Sequence, residues 1–261
     1  MFPNDILPGI DMYLIMLCFA AISAIFTFRV LADKLNIGAK LQNFCMINAV
    51  ISIIIGYYSA VFFQALYNIE ELGAFVINNE TGATFYGGLI GGAGCFLAIY
   101  FGIGARLFKG TRENVKLFWS ITDIAAACIS IAHCFGRIGC LMAGCCHGAK
   151  TDAWYGIYMK SIGCKVVPIQ LYEAIFLALV FAFCAYRVAH KKTHGLALYM
   201  ELYGVWRFFI EYARDDYRGQ TFIKAFTPSQ LTAILMVIGA VVLFIVQRKL
   251  QNKDQGKCNE E

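Results

Sequence analysis

The stretch Ala132-His-Cys-Phe-Gly-Arg137-Ile-Gly-Cys-Leu-Met-Ala-Gly-Cys-Cys-His-Gly148 sets an arginine at the exit of a long apolar run, among cysteines and histidines. A guanidinium cannot shed its charge, so at a membrane boundary it needs a carboxylate, a phosphate or water. Three further charged residues, Arg207, Glu211 and Arg214, follow one another at i, i+4 and i+7, which places them on one helical face. Glu173 opens another apolar run, and Tyr13 and Tyr86 open two more. Guanidinium forks suit a phosphodiester and can hold the charge that grows as it becomes a leaving phosphate. The competing reading is structural: Arg207 paired with Glu211, and Arg137 with Glu173 or Glu211.

The elements that must carry these residues are membrane helices. Of 261 residues, 59% are apolar or aromatic and only 15% are charged, whereas a soluble domain is closer to a quarter charged. About 20 mostly apolar residues cross a bilayer as a helix. Seven such runs occur: Ile10 to Leu31, Phe44 to Tyr67, Phe85 to Gly104, Leu117 to Phe135, Ile169 to Ala189, Gly195 to Tyr212 and Ser229 to Val246. Barrel strands would be about half as long and would alternate. The expected fold is therefore an all-α integral membrane protein with seven transmembrane helices in one domain. Residues 139–168 form a loop between the fourth and fifth runs, and 247–261 a tail. No basic segment precedes the first run, so a cleaved signal peptide is not expected.

Charge sets the orientation. Arg29, Lys34, Lys40, Arg106, Lys109, Arg112, Lys116, Arg187, Lys191, Lys192, Arg248, Lys249, Lys253 and Lys257 fall on one side, fourteen of the 22 basic residues. Asp5, Asp11, Glu70, Glu71 and Glu80 occupy the other. The positive-inside rule then places the N-terminus outside and the C-terminus in the cytoplasm. On that topology Arg137, Glu173, Arg207, Glu211, Arg214, Tyr13 and Tyr86 gather near the outer leaflet, with Asp123 and Glu201 as exceptions at the cytoplasmic end. The net charge of +5 is thus topological, and no nucleic-acid partner is expected.

Two further patterns carry two readings each. Gly87 with Gly91, and Gly88 with Gly92, make overlapping small-xxx-small pairs, which predict close helix packing or bare backbone beside Tyr86 for a lipid headgroup. Among eleven cysteines, Cys134, Cys140, Cys145, Cys146 and Cys164 lie at or beyond the outer boundary with His133 and His147. Among these residues there is no paired CxxC and no spaced HxxxH, so no metal is expected, while a disulfide among the five stays open.

Taken together, these segments resemble the prolipoprotein diacylglyceryl transferase family over nearly the whole chain. The likeness rests on Tyr86-Gly-Gly-Leu-Ile-Gly, Gly136-Arg-Ile-Gly139 through Gly144 and Gly148, Pro168-Ile-Gln-Leu-Tyr-Glu173, Leu202-Tyr-Gly-Val-Trp-Arg-Phe-Phe-Ile-Glu-Tyr-Ala-Arg214 and Thr227-Pro-Ser-Gln230. It implies a cofactor-free enzyme of the bacterial cytoplasmic (inner) membrane, its active site facing the outer leaflet. Such an enzyme moves diacylglycerol from phosphatidylglycerol to the lipobox cysteine of an exported prolipoprotein, leaving a thioether. By resemblance Arg137 is the phospholipid-binding arginine and Arg207 the second arginine. Tyr13, Gly148, Gln170, Glu173, Glu211 and Arg214 match positions around the phospholipid. Many members have His-Gly-Gly where this chain has Tyr86-Gly-Gly, and asparagines and a glutamate where it has Cys140, Ala143 and Cys145. The proton acceptor is then Tyr86, His133 or His147. The rival readings are a lipid transferase with another acceptor, a thiol-redox or metal protein, and a lipid transporter.

Overall fold

Inside hydrocarbon every backbone N–H and C=O must be satisfied within its own segment, so long apolar runs become helices. The computed structural model describes residues 11–78, 81–214 and 226–258, without side-chain detail at 70–72, 85 and 251–258. Its helices are α1 (Met12–Lys34), α2 (Ala39–Leu72), α3 (Phe85–Leu107), the single turn α4 (Glu113–Lys116), α5 (Phe118–Ala143), α6 (Ile169–Ala189), α7 (Gly195–Ile210) and α8 (Pro228–Cys258). Six of them, all but α4 and α7, are long and apolar enough to cross a membrane. Helix α7 has 16 residues and passes into a 3₁₀ turn, Glu211–Ala213. Large apolar side chains such as Ile22, Phe26, Ile53 and Leu179 point out of these helices, as lipid contact requires. The protein is a helical, multi-pass membrane protein. Asp5 and Glu80, and the side chains of Glu70, Glu71, Lys253 and Lys257, which entered the charge count, lie outside the described residues.

The helix ends differ from the expected ones. Helix α5 continues past Phe135 to Ala143, so Arg137 stands within a helix, not at its exit, and the loop begins at Gly144 instead of Gly139. Ile138 and Leu141 extend the apolar face beyond the charge, and only Gly144, at φ 74°, closes the helix. The loop that follows contains a small antiparallel ribbon, β1 (Ile157–Met159) with β2 (Cys164–Val166), in the register Tyr158 opposite Lys165. Its Met159 and Val166 are fully buried against Leu141, with Ile162, Cys164 and Leu171 around them.

The chain divides into two compact units, residues 36–118 and the remainder. In the first, α2 and α3 pack through glycine. A Cβ added at Gly87 would lie 2.8 Å from the Ser59 carbonyl oxygen and from Phe63 Cβ, and one at Gly56 3.0 Å from the Gly88 carbonyl oxygen. Ser59 Oγ donates to the Gly87 carbonyl at 2.8 Å, and Asn48 Nδ2 to the Phe96 carbonyl at 3.0 Å. The space at these glycines is filled by α2, which is the packing reading of the small-xxx-small pairs. A turn away, Tyr100 is fully buried, its hydroxyl donating to the Asn114 carbonyl at 2.7 Å.

The second unit holds α1 and α5 to α8. Helix α7 lies against α8 at Gly204, where a Cβ would meet Val237 Cγ2 at 2.9 Å and the Ala233 carbonyl oxygen at 3.0 Å. It lies against α6 through Trp206 stacked on Phe176, ring centroids 4.3 Å apart. Its N-terminus is capped from another helix: buried Asp123 of α5 accepts from Gly195 N at 2.7 Å and Leu196 N at 3.3 Å. The carboxylate, one of the two exceptions in depth, thus satisfies orphan amide donors and faces the positive end of the helix dipole.

Two stability outcomes follow. Gly87→Ala costs about 1–3 kcal/mol through overpacking, whereas Gly94→Ala, whose Cβ would meet nothing within 4 Å, is neutral or slightly stabilising. Thermal unfolding in detergent, comparing the two variants, checks this. Asp123→Ala lowers stability by about 0.5–2 kcal/mol in the same measurement, and Asp123→Asn recovers part of it.

Candidate active site

Three arginines and two glutamates meet at one end of α5, α6 and α7. Arg137 Nε lies 3.0 Å from Glu173 Oε2, with side chains 15% and 0% exposed. Tyr203, one turn before Arg207, donates its hydroxyl to Glu173 Oε1 at 2.8 Å and also hydrogen-bonds to Arg137. Of the two carboxylates the sequence allowed for Arg137, it is therefore Glu173 that pairs with it. The Arg207 guanidinium reaches Glu211 Oε2 at 2.8 Å and donates to Ser229 Oγ of α8 at 2.8 Å. Arg214 Nε stands 3.9 Å from the same Glu211 oxygen, and Thr227 Oγ1 donates to Glu211 Oε1 at 3.0 Å.

Both structural pairings are thus formed, yet they do not use every guanidinium donor. Nη1 of Arg207 is buried and has no hydrogen-bond partner among the described residues. Arg137 meets its carboxylate through Nε, so that contact does not consume its two terminal nitrogens. Fixed guanidinium donors in low dielectric are the means by which proteins hold phosphate oxygens.

The other expected residues fall into three sets. His133 packs edge-on against Tyr203, ring centroids 4.9 Å apart, and so belongs to the arginine group. Tyr13 lies over the bare backbone of Gly139, where a Cβ would come within 2.9 Å of its ring. Gln170, fully buried, donates to the Cys145 carbonyl. Gly148 bridges to Arg214 in antiparallel fashion. A Cβ there would strike the Ala213 carbonyl oxygen at 2.7 Å and Ile169, so only glycine lets the loop pass. His147 Nδ1 is 2.9 Å from the Gly148 carbonyl oxygen. Tyr86 lies in the other compact unit, at the start of α3 and about one-third exposed.

Sequence reasoning missed two features. Tyr203 and Ser229 complete the arginine contacts; Tyr203, at four residues before Arg207, was legible as part of the same helical face. The thiols of Cys140, Cys145 and Cys146 also converge, all sulfur atoms lying within 4.8 Å of one another. Cys140 and Cys145 hydrogen-bond to Cys146, and with Arg214 beside it they hold the Cys146 thiol well below the usual range. Contact with Cys140, then with Cys146, pushes the Cys145 thiol up. Cys134 and Cys164, the other outer cysteines, are free thiols, as are these three.

The fold and the site together define a multi-pass membrane protein with an arginine-rich polar centre at one end of its helices. The family model described as prolipoprotein diacylglyceryl transferase matches residues 6–246, and the chain belongs to that family. It is 31% identical to the phosphatidylglycerol–prolipoprotein diacylglyceryl transferase 2 of Clostridium perfringens over 67% of this chain and 66% of that protein. It is also 31% identical to the corresponding enzyme of Aliarcobacter butzleri, over 93% of this chain and 91% of the relative. With that of Campylobacter curvus the identity is 30%, over 92% and 91%.

Removing one member of a buried pair strands the other. Glu173→Ala costs about 3–5 kcal/mol, and Tyr203→Phe about 1–3 kcal/mol because Glu173 loses its donor. Unfolding of the purified variants in detergent measures both, and Glu173→Ala is expected to be the worse.

Proposed function

We propose that this protein transfers the diacylglyceryl group of phosphatidylglycerol to the lipobox cysteine of exported prolipoproteins, in the bacterial cytoplasmic membrane. The observation that carries the reading is the meeting of Arg137 and Arg207 in one buried centre, where Arg207 Nη1 has no hydrogen-bond partner among the described residues, in a chain of this family. In the reaction the substrate thiol forms a C–S bond to the glycerol carbon as that carbon's C–O bond to phosphate breaks. The electron pair leaves on the phosphate oxygen, and the thiol proton passes to a base. Arg137 and Arg207 take the growing charge of the phosphate monoester, an interaction stronger in the transition state than in the diester. No enzyme nucleophile is needed. Tyr86, His133 and His147 are the candidate acceptors for the proton, and His133 has the support of its place against Tyr203.

The topology that goes with this function has seven spans, the N-terminus outside and the C-terminus cytoplasmic, with the arginine centre at the outer leaflet. Helix α7 qualifies as the seventh span when its 16 residues, at about 1.5 Å each, are joined to the 3₁₀ turn of about 2 Å per residue. Together these come to roughly 30 Å, the thickness of the hydrocarbon. An apolar groove of about 300 Å³ between α7 and α8, lined by Gly204, Phe208, Phe209, Ala233 and Val237 among others, offers room for an acyl chain.

Complementation of a strain depleted of its own transferase tests the acceptor and separates this reading from a lipid transferase with another acceptor. In a thiol-labelling assay with phosphatidylglycerol and a lipobox peptide, Arg137→Ala lowers transfer by about 10²–10³-fold or more. Arg137→Lys retains little, because a point charge replaces a fork. An Arg137→Ala enzyme with full activity would overturn the assignment.

A further inference from the structure

The C-terminus of α5 is built in a way that the arginine centre does not require. Gly144 N donates to the Leu141 carbonyl at 3.2 Å, and Cys145 N to the Cys140 carbonyl at 3.1 Å. With Gly144 in the left-handed region, this is a Schellman cap, in which the residue after the glycine folds back over the residue five before it. The cap lays Cys145 against Cys140, although they are not neighbours on any helical face. Cys146 then also takes a positive φ, 59°, which a non-glycine residue rarely adopts without a reason. Its effect is to return the third thiol to the other two, all three sulfurs lying within 4.8 Å of each other.

We infer that Cys140, Cys145 and Cys146 form a three-thiolate site for a single thiophilic d¹⁰ cation, zinc(II) or copper(I). Thiolate–zinc bonds of about 2.3 Å put sulfurs at the corners of a tetrahedron roughly 3.8 Å apart. The observed cluster needs to contract by no more than about 1 Å to reach that spacing. A disulfide, at an S–S distance of about 2 Å, would join two of the three thiols and leave the third over. Soft thiolate donors select zinc or copper(I) over harder ions.

The surroundings are those of a held ligand set. Gln170, buried in α6, donates to the Cys145 carbonyl, and Ser161 Oγ to the Gly144 carbonyl at 2.7 Å. Arg214 hydrogen-bonds to Cys146, and would offset the negative charge that three thiolates leave on a divalent ion. Three protein ligands leave a tetrahedral ion one further position.

The test is metal content of the full-length protein, purified in detergent under reducing conditions without chelator and measured by elemental mass spectrometry. Wild type is expected to hold close to one equivalent, and the triple variant Cys140→Ser/Cys145→Ser/Cys146→Ser less than a tenth of that. Cys164→Ser keeps the wild-type value. Competition with a zinc-selective and a copper(I)-selective chelator says which ion is held. Should the triple variant fail to fold, Cys145→Ser alone, at an exposed position, serves with cobalt(II) loading: the thiolate-to-cobalt charge-transfer band of wild type weakens in it. Equal metal in wild type and variant overturns the inference, as does a wild-type protein two hydrogens lighter by intact mass that takes up no ion. Arg137→Ala loses transfer but keeps its metal, so this site and the proposed reaction fail or stand separately.

Discussion

The arrangement of α5, α6 and α7 depends on burying guanidinium groups against carboxylates in a medium that tolerates neither alone. A charge in hydrocarbon costs several kcal/mol even after relaxation, and a buried pair returns that cost only with good geometry and further hydrogen bonds. Here Glu173 meets that demand by accepting from Tyr203 as well as pairing with Arg137. Glu211 meets it through Arg207, Arg214 and Thr227. Each carboxylate ties together elements distant in sequence. The polar centre is therefore the tertiary structure at this end of the molecule as much as it is a site.

Close packing makes that centre attainable. Gly139 admits the ring of Tyr13, Gly148 admits the Ala213 carbonyl, and Gly204 admits α8. With no hydrophobic drive between helices in lipid, such contacts hold by dispersion and by the hydrogen bonds they permit. The same residue type at Gly56, Gly87 and Gly88 joins α2 to α3 in the other unit.

Much of this was legible in the chain. The helical face of Arg207, Glu211 and Arg214 follows from spacing alone, and the small-xxx-small glycines from their period. The partner of Arg137 was not legible, because Glu173 and Glu211 are equally plausible until α5 and α6 are placed. The end of α5 was misjudged because a charge was taken as the boundary of a helix whose apolar face goes on beside it. The ribbon at 157–166 escaped because its strands are three residues each, too short for alternation to register. The thiol cluster escaped for a different reason: a search for CxxC assumes a turn, whereas here a glycine cap joins residues five apart. The family was legible in the motifs from Tyr86-Gly-Gly to Thr227-Pro-Ser-Gln230, and the comparison with relatives bears it out, although the fold alone does not imply it.

Helix α7 is fastened near both ends to other helices, by Asp123 of α5 at its first amides and by Ser229 of α8 at Arg207. A smooth apolar rod in lipid is free to roll about its long axis, and each residue of register turns it by about 100°. With both ends pinned, such a roll would uncap one end and unpair the other at once. The aim of the Arg207 fork is thereby set from a carboxylate about three helical turns away, like a pointer fixed by its heel.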